Sequence, residues 1–564
     1  MKSFTIYLVY LIVFWLTNFC NASAESHAGS YLSAIHAEKK FDFVSASQFY
    51  SNGLRIEPTN QKFLLGAIRS NISSGKFDKA KLYSKNLVKI GSDTPISSLM
   101  ILADEIKNEN FKKAKSLLEK PDQFNFFLKA ILTGWVEIGS GNIEKGLDYF
   151  ENSENAKRLG YISQNHLGLA LALVGNFEKA DLILSNTSNG ASIDQRDMAI
   201  AHAQIMAQLG KNKEAVKMLD KFLVGNENNK MSKLRRAIDA GAPVSFDYLS
   251  SPKEGAALAL YTIANAINKE DDYSLSLIYA QLVSHINKNN PKNILLISEN
   301  LVKLKQYELA IENYAKIPLD HLQYNNAEVG RANALFIQGK EDAAIEVLKA
   351  LTKANPNNLE LQTTLGNTLR RSLKFSEAVN SYTKSINFLK EQNLESWFEY
   401  YARGICYERL GNWMLAEKDF RIALKIHPNQ PSLLNYFGYS LVEKGIHLDE
   451  ALQLIKRAVE KQPDDGYITD SLGWALYRLG KYSEAVIHME RAVELMPLDP
   501  IVNDHLGDVY WAVNRRNEAR FQWHRALSFD PEKKDAERIY KKLDIGLDAV
   551  LISEENLKAS VNED

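Results

Sequence analysis

The chain has 564 residues, and its 68 lysines and arginines nearly balance its 69 aspartates and glutamates, which gives a formal net charge of −1. This balance argues against binding to nucleic acid or another polyanion through bulk charge. Hydrophobic residues make up 45% of the sequence and charged residues 24%, a composition typical of folded chains rather than disordered or collagen-like ones. With only Cys20 and Cys406, the sequence supports neither a disulfide framework nor a paired-cysteine zinc or redox site.

Residues 1–24 have the layout of a secretory signal. One lysine stands near the start, an apolar run follows, and the segment ends in Ala-Ser-Ala, the small-residue pattern of a cleavage site. We therefore expect cleavage before Glu25 and a periplasmic location. The alternative is an uncleaved segment that anchors the chain, and contact with a membrane is expected only in that case. Lipidation of Cys20 is not expected, because Phe19 stands where a bacterial lipobox has a small residue.

Small residues recur along the chain at a regular spacing, most clearly near the C-terminus. In the first of four successive stretches the recurring residues are Gly404, Ala416, Ala423 and Pro428. Two antiparallel helices cross closely only where the facing side chains are small, and proline ends the second helix because it lacks an N–H group. The spacing therefore predicts pairs of helices joined by short turns.

These stretches resemble the tetratricopeptide repeat (TPR), a helix-turn-helix unit of about 34 residues. The other three stretches carry Gly438, Ala451, Ala458 and Pro463, then Gly473, Ala485, Ala492 and Pro497, then Gly507, Ala519, Ala526 and Pro531. The resemblance implies an all-α fold, a superhelical solenoid of stacked repeats. Weaker matches extend upstream, so we expect about 12 to 14 repeats over nearly the whole mature chain.

One segment, residues 225–255, breaks the phase of the repeats. It carries Gly, Pro, Ser and Asn at the density of a loop. The sequence therefore predicts a degenerate N-terminal array over residues 25–224, a linker or insertion at 225–255, and a C-terminal array over residues 256–545. The insertion is open to two interpretations, a plain connection or a loop that contacts a partner. Residues 546–564 are polar and acidic, and we expect a frayed acidic tail there.

Motifs for catalysis are missing from the sequence. It contains no GxxxxGK[ST] phosphate loop, no HExxH pair, no GxSxG turn and no CxxC pair. Its 11 histidines are scattered without the spacing of metal ligands. We therefore expect a protein that is not an enzyme and that holds no cofactor and no metal ion.

The first helix of each repeat in such a stack lines an inner, concave wall, where protein or peptide partners bind. Counted from each predicted helix start in the C-terminal third, positions 2, 5, 9, 12 and 13 face this wall. Tyrosine, tryptophan and arginine, which are enriched at binding hot spots, are interleaved there with acidic residues. The predicted partner-binding residues are Arg370, Arg371, Tyr401, Arg409, Asn435, Tyr439, Asp470, Trp474, Tyr477, Arg478, Asp504, Asp508 and Trp511.

An alternative interpretation gives these side chains a structural role. The aromatic residues would then pack against neighbouring helices, or against a C-terminal helix over residues 532–545 that folds into the groove. The sequence alone also leaves open whether the array associates with a second copy of itself.

Residues 397–531, with runs such as DGYITDSLGWALYRLGKYSEAV, resemble a family of exported bacterial TPR proteins. Its members include an outer-membrane lipoprotein that serves as the adaptor of a periplasmic carboxyl-terminal processing protease. The resemblance implies a non-catalytic scaffold that presents cell-wall hydrolases or other envelope proteins to such a protease. This chain departs from that adaptor because it lacks a lipobox, so tethering to the membrane is not implied.

A second hypothesis is binding to carbohydrate. The predicted inner wall carries several aromatic side chains, including Trp474, and sugars stack on aromatic faces. The chain would then be a peptidoglycan or glycan binder, or an accessory of glycosyl transfer.

Overall fold

The computed structural model describes residues 27–121, 123–187, 195–223, 230–288, 290–319, 321 and 323–561. The predicted export signal, residues 1–24, lies outside these ranges. Within them the chain forms 32 α-helices and no strand, so the expected all-α stack of helix pairs is confirmed. None of the helices in these ranges is both long enough and apolar enough to cross a bilayer.

The chain divides into two compact units, residues 1–347 and 348–564. The helices of the first unit are α1 (His27–Lys39), α2 (Phe43–Ile56), α3 (Gln61–Ser73), α4 (Phe77–Lys89), α5 (Pro95–Lys107), α6 (Phe111–Leu118), α7 (Phe126–Gly139), α8 (Ile143–Asn152), α9 (Glu154–Leu159), α10 (Tyr161–Leu173), α11 (Phe177–Thr187), α12 (Gln195–Gln208), α13 (Asn212–Asp220), α14 (Lys230–Asp239), α15 (Pro252–Lys269), α16 (Tyr273–Ile286), α17 (Pro291–Lys303), α18 (Tyr307–Tyr314) and α19 (Tyr324–Ile337). Helix α20 (Glu341–Ala354) contains the division.

The second unit continues with twelve helices in the described part of the chain. They are α21 (Leu359–Arg371), α22 (Phe375–Glu391), α23 (Trp397–Arg409), α24 (Trp413–Ile426), α25 (Pro431–Lys444), α26 (Leu448–Lys461), α27 (Gly466–Arg478), α28 (Tyr482–Leu495), α29 (Pro500–Ala512), α30 (Arg516–Ser528), α31 (Lys533–Ile545) and α32 (Leu547–Val561). Short turns join the two helices of each pair, so that the pair runs antiparallel.

The recurring small residues stand where the two helices of a pair cross. A Cβ atom at Gly473 of α27 would lie 2.7 Å from Cγ of Met489 on α28. At Gly404 of α23 it would lie 2.7 Å from the Phe420 ring on α24. Because a larger residue has no room at this distance, the glycines set how closely the two helices pack. Helix α24 ends two residues before Pro428, as the sequence predicts.

In the first unit, α15 and α16 form a hairpin that packs on helices far earlier in the chain. The Gln281 side chain donates a hydrogen bond to the carbonyl oxygen of Ser73 on α3, at 3.2 Å. Nε2 of His285 lies 3.2 Å from Oδ1 of Asp104 on α5. On α7, the Trp135 ring packs so closely on α15 that a Cβ atom at Gly255 would lie 2.3 Å from it. This hairpin, residues 252–286, therefore covers the inner wall formed by the first helices of earlier repeats.

The residue types on both sides explain why the hairpin docks there. At the inner positions of α5 and α7 the side chains are apolar and buried: Leu99, Ala103, Ile106, Ile131, Trp135 and Ile138. The hairpin is itself apolar on several faces and buries Leu260, Ile263, Leu277, Leu282, Val283 and Ile286. A helix that is apolar around most of its circumference is stable only when it is enclosed. Burial of both surfaces removes apolar area from water and fixes the hairpin on the wall.

The segment expected to be a linker, residues 225–255, is only partly a loop. It contains α14, whose Met231, Leu234 and Ile238 are buried. The compact units divide inside α20 rather than at this segment, because the hairpin that follows it packs on α3, α5 and α7 of the same unit.

The expected frayed tail at residues 546–564 also differs from the structure. Helix α32 occupies Leu547–Val561, and both Leu547 and Val550 are buried. Apolar residues at the start of the segment therefore tie the helix to the second unit.

The docked hairpin can be tested by a matched pair of substitutions in α16. Leu282 is fully buried, whereas Leu275 in the same helix is 39% exposed. We expect Leu282→Ala to lower the free energy of unfolding by about 2–5 kcal/mol, because it leaves a cavity, and Leu275→Ala to change it by less than about 0.5 kcal/mol. Urea denaturation followed by circular dichroism measures both values, and equal losses would contradict the docked arrangement.

Candidate functional site

The first helices of successive pairs in the second unit carry the predicted partner-binding residues. These helices are α21, α23, α25, α27 and α29. Side-chain caps mark the start of α21, α27 and α29. At α27, Oδ1 of Asp465 accepts a hydrogen bond from the backbone N–H of Ile468 at 3.1 Å. A capped start of this kind sets which positions face the inner wall.

Polar and aromatic side chains line the wall at α21 and α23. Nε of Arg370 lies 3.4 Å from the hydroxyl of Tyr382 and donates to it. The Tyr401 ring packs on Trp397 and Tyr436, with centroids 5.7 and 5.9 Å apart. Burial raises the pKa of Tyr401 above its ordinary value. Tyr401 is therefore part of an aromatic cluster and shows only part of its ring to the wall.

At the outer edge of the same wall, Arg371 and Arg409 are exposed. The Arg409 side chain keeps 59% of its surface accessible, although its Nε lies 3.5 Å from a carboxylate oxygen of Glu408. An ion pair this exposed contributes little and exchanges readily with other partners.

On α25, Asn435 presents an acceptor that the described part of the chain does not satisfy. Its Oδ1 atom is buried and has no hydrogen-bond partner there. One turn further along the helix, Tyr439 is half-buried, and burial together with the Glu443 carboxylate raises its pKa. A buried acceptor without a donor costs free energy, so this position favours an incoming hydrogen-bond donor.

Glu443 connects α25 with α27. The indole N–H of Trp474 donates to Oε1 of Glu443 at 2.8 Å, and Nη1 of Arg478 lies 3.7 Å from the same oxygen. The Trp474 ring is stacked on His505 at 4.1 Å between centroids and on Tyr477 at 4.9 Å. Trp474 and Tyr477 are therefore already packed against rings of this chain.

Asp470 forms an ion pair with His505 on α29. Their Oδ1 and Nδ1 atoms lie 3.0 Å apart. Burial lowers the pKa of His505, but the carboxylates of Asp470, Asp504 and Asp508 raise it by more, so that it lies above its ordinary value. The imidazole is held in its charged form by these neighbours.

Asp504 and Asp508, on α29, bind a lysine of the C-terminal helix α31. Nζ of Lys542 lies 2.8 Å from both carboxylate oxygens of Asp504, and 2.7 and 2.8 Å from those of Asp508. Lys542 is fully buried, and Arg538 of the same helix lies 3.5 Å from Asp508. Burial and the neighbouring Asp508 raise the pKa of Asp504, although Lys542 opposes this.

Trp511 is also engaged by the end of the chain. Its indole N–H donates to Oδ2 of Asp548 on α32 at 3.0 Å, and the Arg516 guanidinium lies 3.7 Å above its ring. Together with the binding of Lys542 to Asp504 and Asp508, this contact shows the arrangement that the sequence offered as the alternative, a C-terminal helix folded onto the wall. We call α31 and α32 the C-terminal cover.

The predicted residues therefore fall into three groups, one of which, Asp470, Trp474, Tyr477 and Arg478 on α27, already contacts other side chains of this chain. Asp504, Asp508 and Trp511 contact the C-terminal cover rather than an open groove, which corrects the expectation that all thirteen share one free surface. The third group lies on α21, α23 and α25, beyond the contacts of the cover. We call this group the open wall, and its residues are Arg370, Arg371, Tyr401, Arg409, Asn435 and Tyr439.

Sequence reasoning missed a second opening, on the inner wall at the start of the first unit. A hollow of about 530 Å³ lies between α1 and α3. It is lined by Tyr31, Ile35, Glu38, Lys39, Tyr50, Lys62, Leu65 and Arg69. Ala46 and Ala80 stand at the recurring alanine position in the second helices of the first two pairs. Counting inward positions from the repeat starts that these alanines imply would have placed most of these residues on the wall. Within the described ranges, no group of three His, Cys, Asp or Glu side chains has the geometry to hold a metal ion.

The lysine of the C-terminal cover gives a second prediction. We expect Lys542→Ala to destabilise the protein by about 3–5 kcal/mol, because it leaves two buried carboxylates without their counter-ion. The neighbouring exposed Lys541→Ala is the control and should change stability by less than about 0.5 kcal/mol. Asp504→Asn and Asp508→Asn added to Lys542→Ala should restore much of the loss. Equal effects of the two lysine changes in urea denaturation would rule out the buried ion cluster.

The Asp470–His505 pair gives a third prediction, on pH. A histidine whose pKa is raised in the folded state stabilises the fold below its unfolded pKa, and this stabilisation is lost as pH rises through the folded pKa. We therefore expect the free energy of unfolding to fall as pH rises above the ordinary histidine pKa of about 6.5, and expect His505→Gln to flatten this dependence. The exposed His524→Gln is the control. Identical slopes for the two variants would contradict the charged imidazole.

Comparison with known proteins agrees with the repeat. The family models for the tetratricopeptide repeat match residues 401–466 and 470–499. A curated relative from Pseudomonas aeruginosa, described as "TPR repeat-containing protein PA4667", is 27% identical over 184 residues. The matched region is 31% of this chain and 29% of the relative, so it spans less than a third of that protein.

Solved structures give weaker likenesses. A chain of the APC/C hetero-tetramer Cut9-Hcn1 is 16% identical, with 93% of this chain and 97% of that chain covered and a TM-score of 0.37. Yeast Tom70 is 13% identical, with 96% and 99% covered and a TM-score of 0.36. A tetratricopeptide repeat protein from Parabacteroides merdae is 17% identical, with 46% and 100% covered and a TM-score of 0.38. At these scores the likenesses establish no shared function. The family models show tetratricopeptide repeats at residues 401–466 and 470–499, and helix pairs continue before and after them.

Proposed function

We propose that the chain is a non-catalytic adaptor that binds a partner protein or peptide along the open wall of its second unit. Stacked repeats bind protein or peptide partners on their inner surface. The observation that carries the proposal is the set of side chains that the open wall presents: Arg371 and Arg409 are exposed, and Asn435 and Tyr439 are half-buried. Charged, amide and aromatic side chains of this kind can contact the main chain and side chains of a bound segment.

The charges of the open wall indicate what the partner presents. Arg370, Arg371 and Arg409 lie along α21 and α23, whereas the carboxylate of Glu443, one turn beyond Tyr439 on α25, already accepts a hydrogen bond from Trp474. The partner segment would therefore carry acidic side chains towards α23 and aromatic or apolar ones towards Tyr439. Arginine supplies charge and a planar guanidinium group, tyrosine supplies a planar ring with few rotatable bonds, and both residue types are enriched at binding hot spots.

We further infer a role in the bacterial envelope, with a carboxyl-terminal processing protease and its cell-wall hydrolase substrates as the partner class. Support for export comes from the signal pattern of residues 1–24, and support for the partner class from the resemblance of residues 397–531 to exported adaptor proteins. The glycan hypothesis is less favoured, because the ring of Trp474 is already stacked on His505 and Tyr477.

A binding experiment tests this proposal. The purified protein and the periplasmic carboxyl-terminal processing protease of the same organism are mixed, and the dissociation constant is measured by biolayer interferometry. We expect the double variant Asn435→Ala and Tyr439→Ala to weaken binding by about tenfold or more, since it removes two central contacts. Mass spectrometry of the protein recovered from the periplasm should show a chain that begins at Glu25.

The matched control carries two changes on the outer helix α24, Met414→Ala and Lys418→Ala. Met414 is 76% exposed, so its loss should leave both stability and binding unchanged. If the unmodified protein does not bind the protease, the assignment of the partner is wrong. If the wall variant and the control variant weaken binding equally, the open wall is not the binding surface.

A further inference from the structure

The hollow between α1 and α3 lies at the part of the first unit's inner wall that the hairpin leaves open. The hairpin contacts α3 at Ser73, the last residue of that helix, whereas the hollow uses its first three turns, at Lys62, Leu65 and Arg69. Its volume of about 530 Å³ falls in the range of ligand sites, about 300–1,000 Å³.

Three cationic side chains line the hollow against one carboxylate, so its lining has a net charge of +2. Glu38 is already satisfied, because it accepts hydrogen bonds from Nε of Arg69 at 2.9 Å and from the Tyr50 hydroxyl at 2.5 Å. The Lys39 and Lys62 side chains are exposed and make no ion pair or hydrogen bond within the described part of the chain. Two lysines on opposite helices are therefore available to an anionic ligand.

The floor of the hollow is apolar and partly aromatic. Tyr31, Ile35 and Leu65 are half-buried there, and the Tyr31 ring packs edge-on against Phe63 at 5.4 Å between centroids. This floor differs from the inner positions of α5 and α7, which are mostly apolar and lie under the hairpin. A ligand of the hollow therefore needs both carboxylates for the two lysines and an apolar side chain for the floor.

We propose that the hollow between α1 and α3 is a second binding site, which takes an acidic peptide segment with a bulky apolar side chain flanked by aspartate or glutamate. Charge complementarity favours the acidic segment, since an unpaired lysine on each helix brackets the floor. A short extended peptide spans the distance between two neighbouring helices of a stack. The site is independent of the open wall, which lies on the second unit.

Fluorescence anisotropy with the full chain tests the proposal. The probe is a fluorescein-labelled 12-residue peptide of alternating Glu and Asp with Leu-Phe at its centre. We expect saturable binding at low salt, weakened about tenfold by the double variant Lys39→Glu and Lys62→Glu, because each change replaces an attraction by a repulsion. Replacement of Leu-Phe by Ser-Ser in the probe should also weaken binding, since the floor then loses its contact.

The matched control is Lys85→Glu with Lys89→Glu, two exposed lysines on the outer helix α4. It changes the net charge of the chain by the same amount and should alter affinity by less than about twofold, since distant surface charges are screened by salt. Absence of binding, or equal loss in both double variants, would overturn the proposal. A third outcome would also overturn it: the peptide does not bind, but phosphatidylglycerol vesicles do, and their binding falls with Lys39→Glu and Lys62→Glu. The hollow would then recognise a lipid surface.

Discussion

The inner wall of a stack of helix pairs must be either polar or covered, because an apolar concave surface left in water is unstable. Much of this chain follows from that constraint. Where the inner positions are apolar, at α5 and α7, the hairpin of residues 252–286 lies on them and is itself buried on several faces. Where the wall carries the carboxylates of Asp504 and Asp508, the C-terminal cover supplies Lys542. Two stretches are not covered in this way by the described part of the chain, the open wall and the hollow between α1 and α3, and their polar side chains suit an external ligand.

The two covers differ in the physics that holds them. The hairpin is held mainly by buried apolar area, which is non-directional and tolerates small shifts. The C-terminal cover is held by a buried ion cluster, in which the geometry of Lys542, Asp504 and Asp508 must be maintained because an unpaired buried charge is costly. The His505 imidazole connects this cluster to Asp470 and Trp474. We therefore expect a change in protonation at the C-terminal cover to alter the contacts of Asp470 and Trp474, which lie next to the open wall.

The sequence predicted the helix pairs well, because close helix crossings require small residues at fixed positions, such as Gly473 against Met489. It also selected Asn435 and Tyr439 as inward positions of the second unit, and their role in binding stays a prediction. It did not predict the hairpin as a cover, and it offered the C-terminal cover only as the alternative to a free groove. His285 meets Asp104 across 181 residues, and Lys542 meets Asp504 across 38, so neither contact follows from a local period. The sequence did contain a signal for the hairpin. The inner positions of α5 and α7 are apolar, whereas a wall left in contact with water would be more polar there.

The measurement that tests this account most directly is site-specific photo-crosslinking in the full chain, with a photoreactive phenylalanine analogue placed either at Tyr439 or at Trp511. The two positions lie on the same wall, one on the open part and one under the C-terminal cover. The account predicts that position 439 captures a separate protein, whereas position 511 forms a crosslink within the chain, to residues of α32. Capture of a separate protein from position 511, together with only internal crosslinks from position 439, would contradict it.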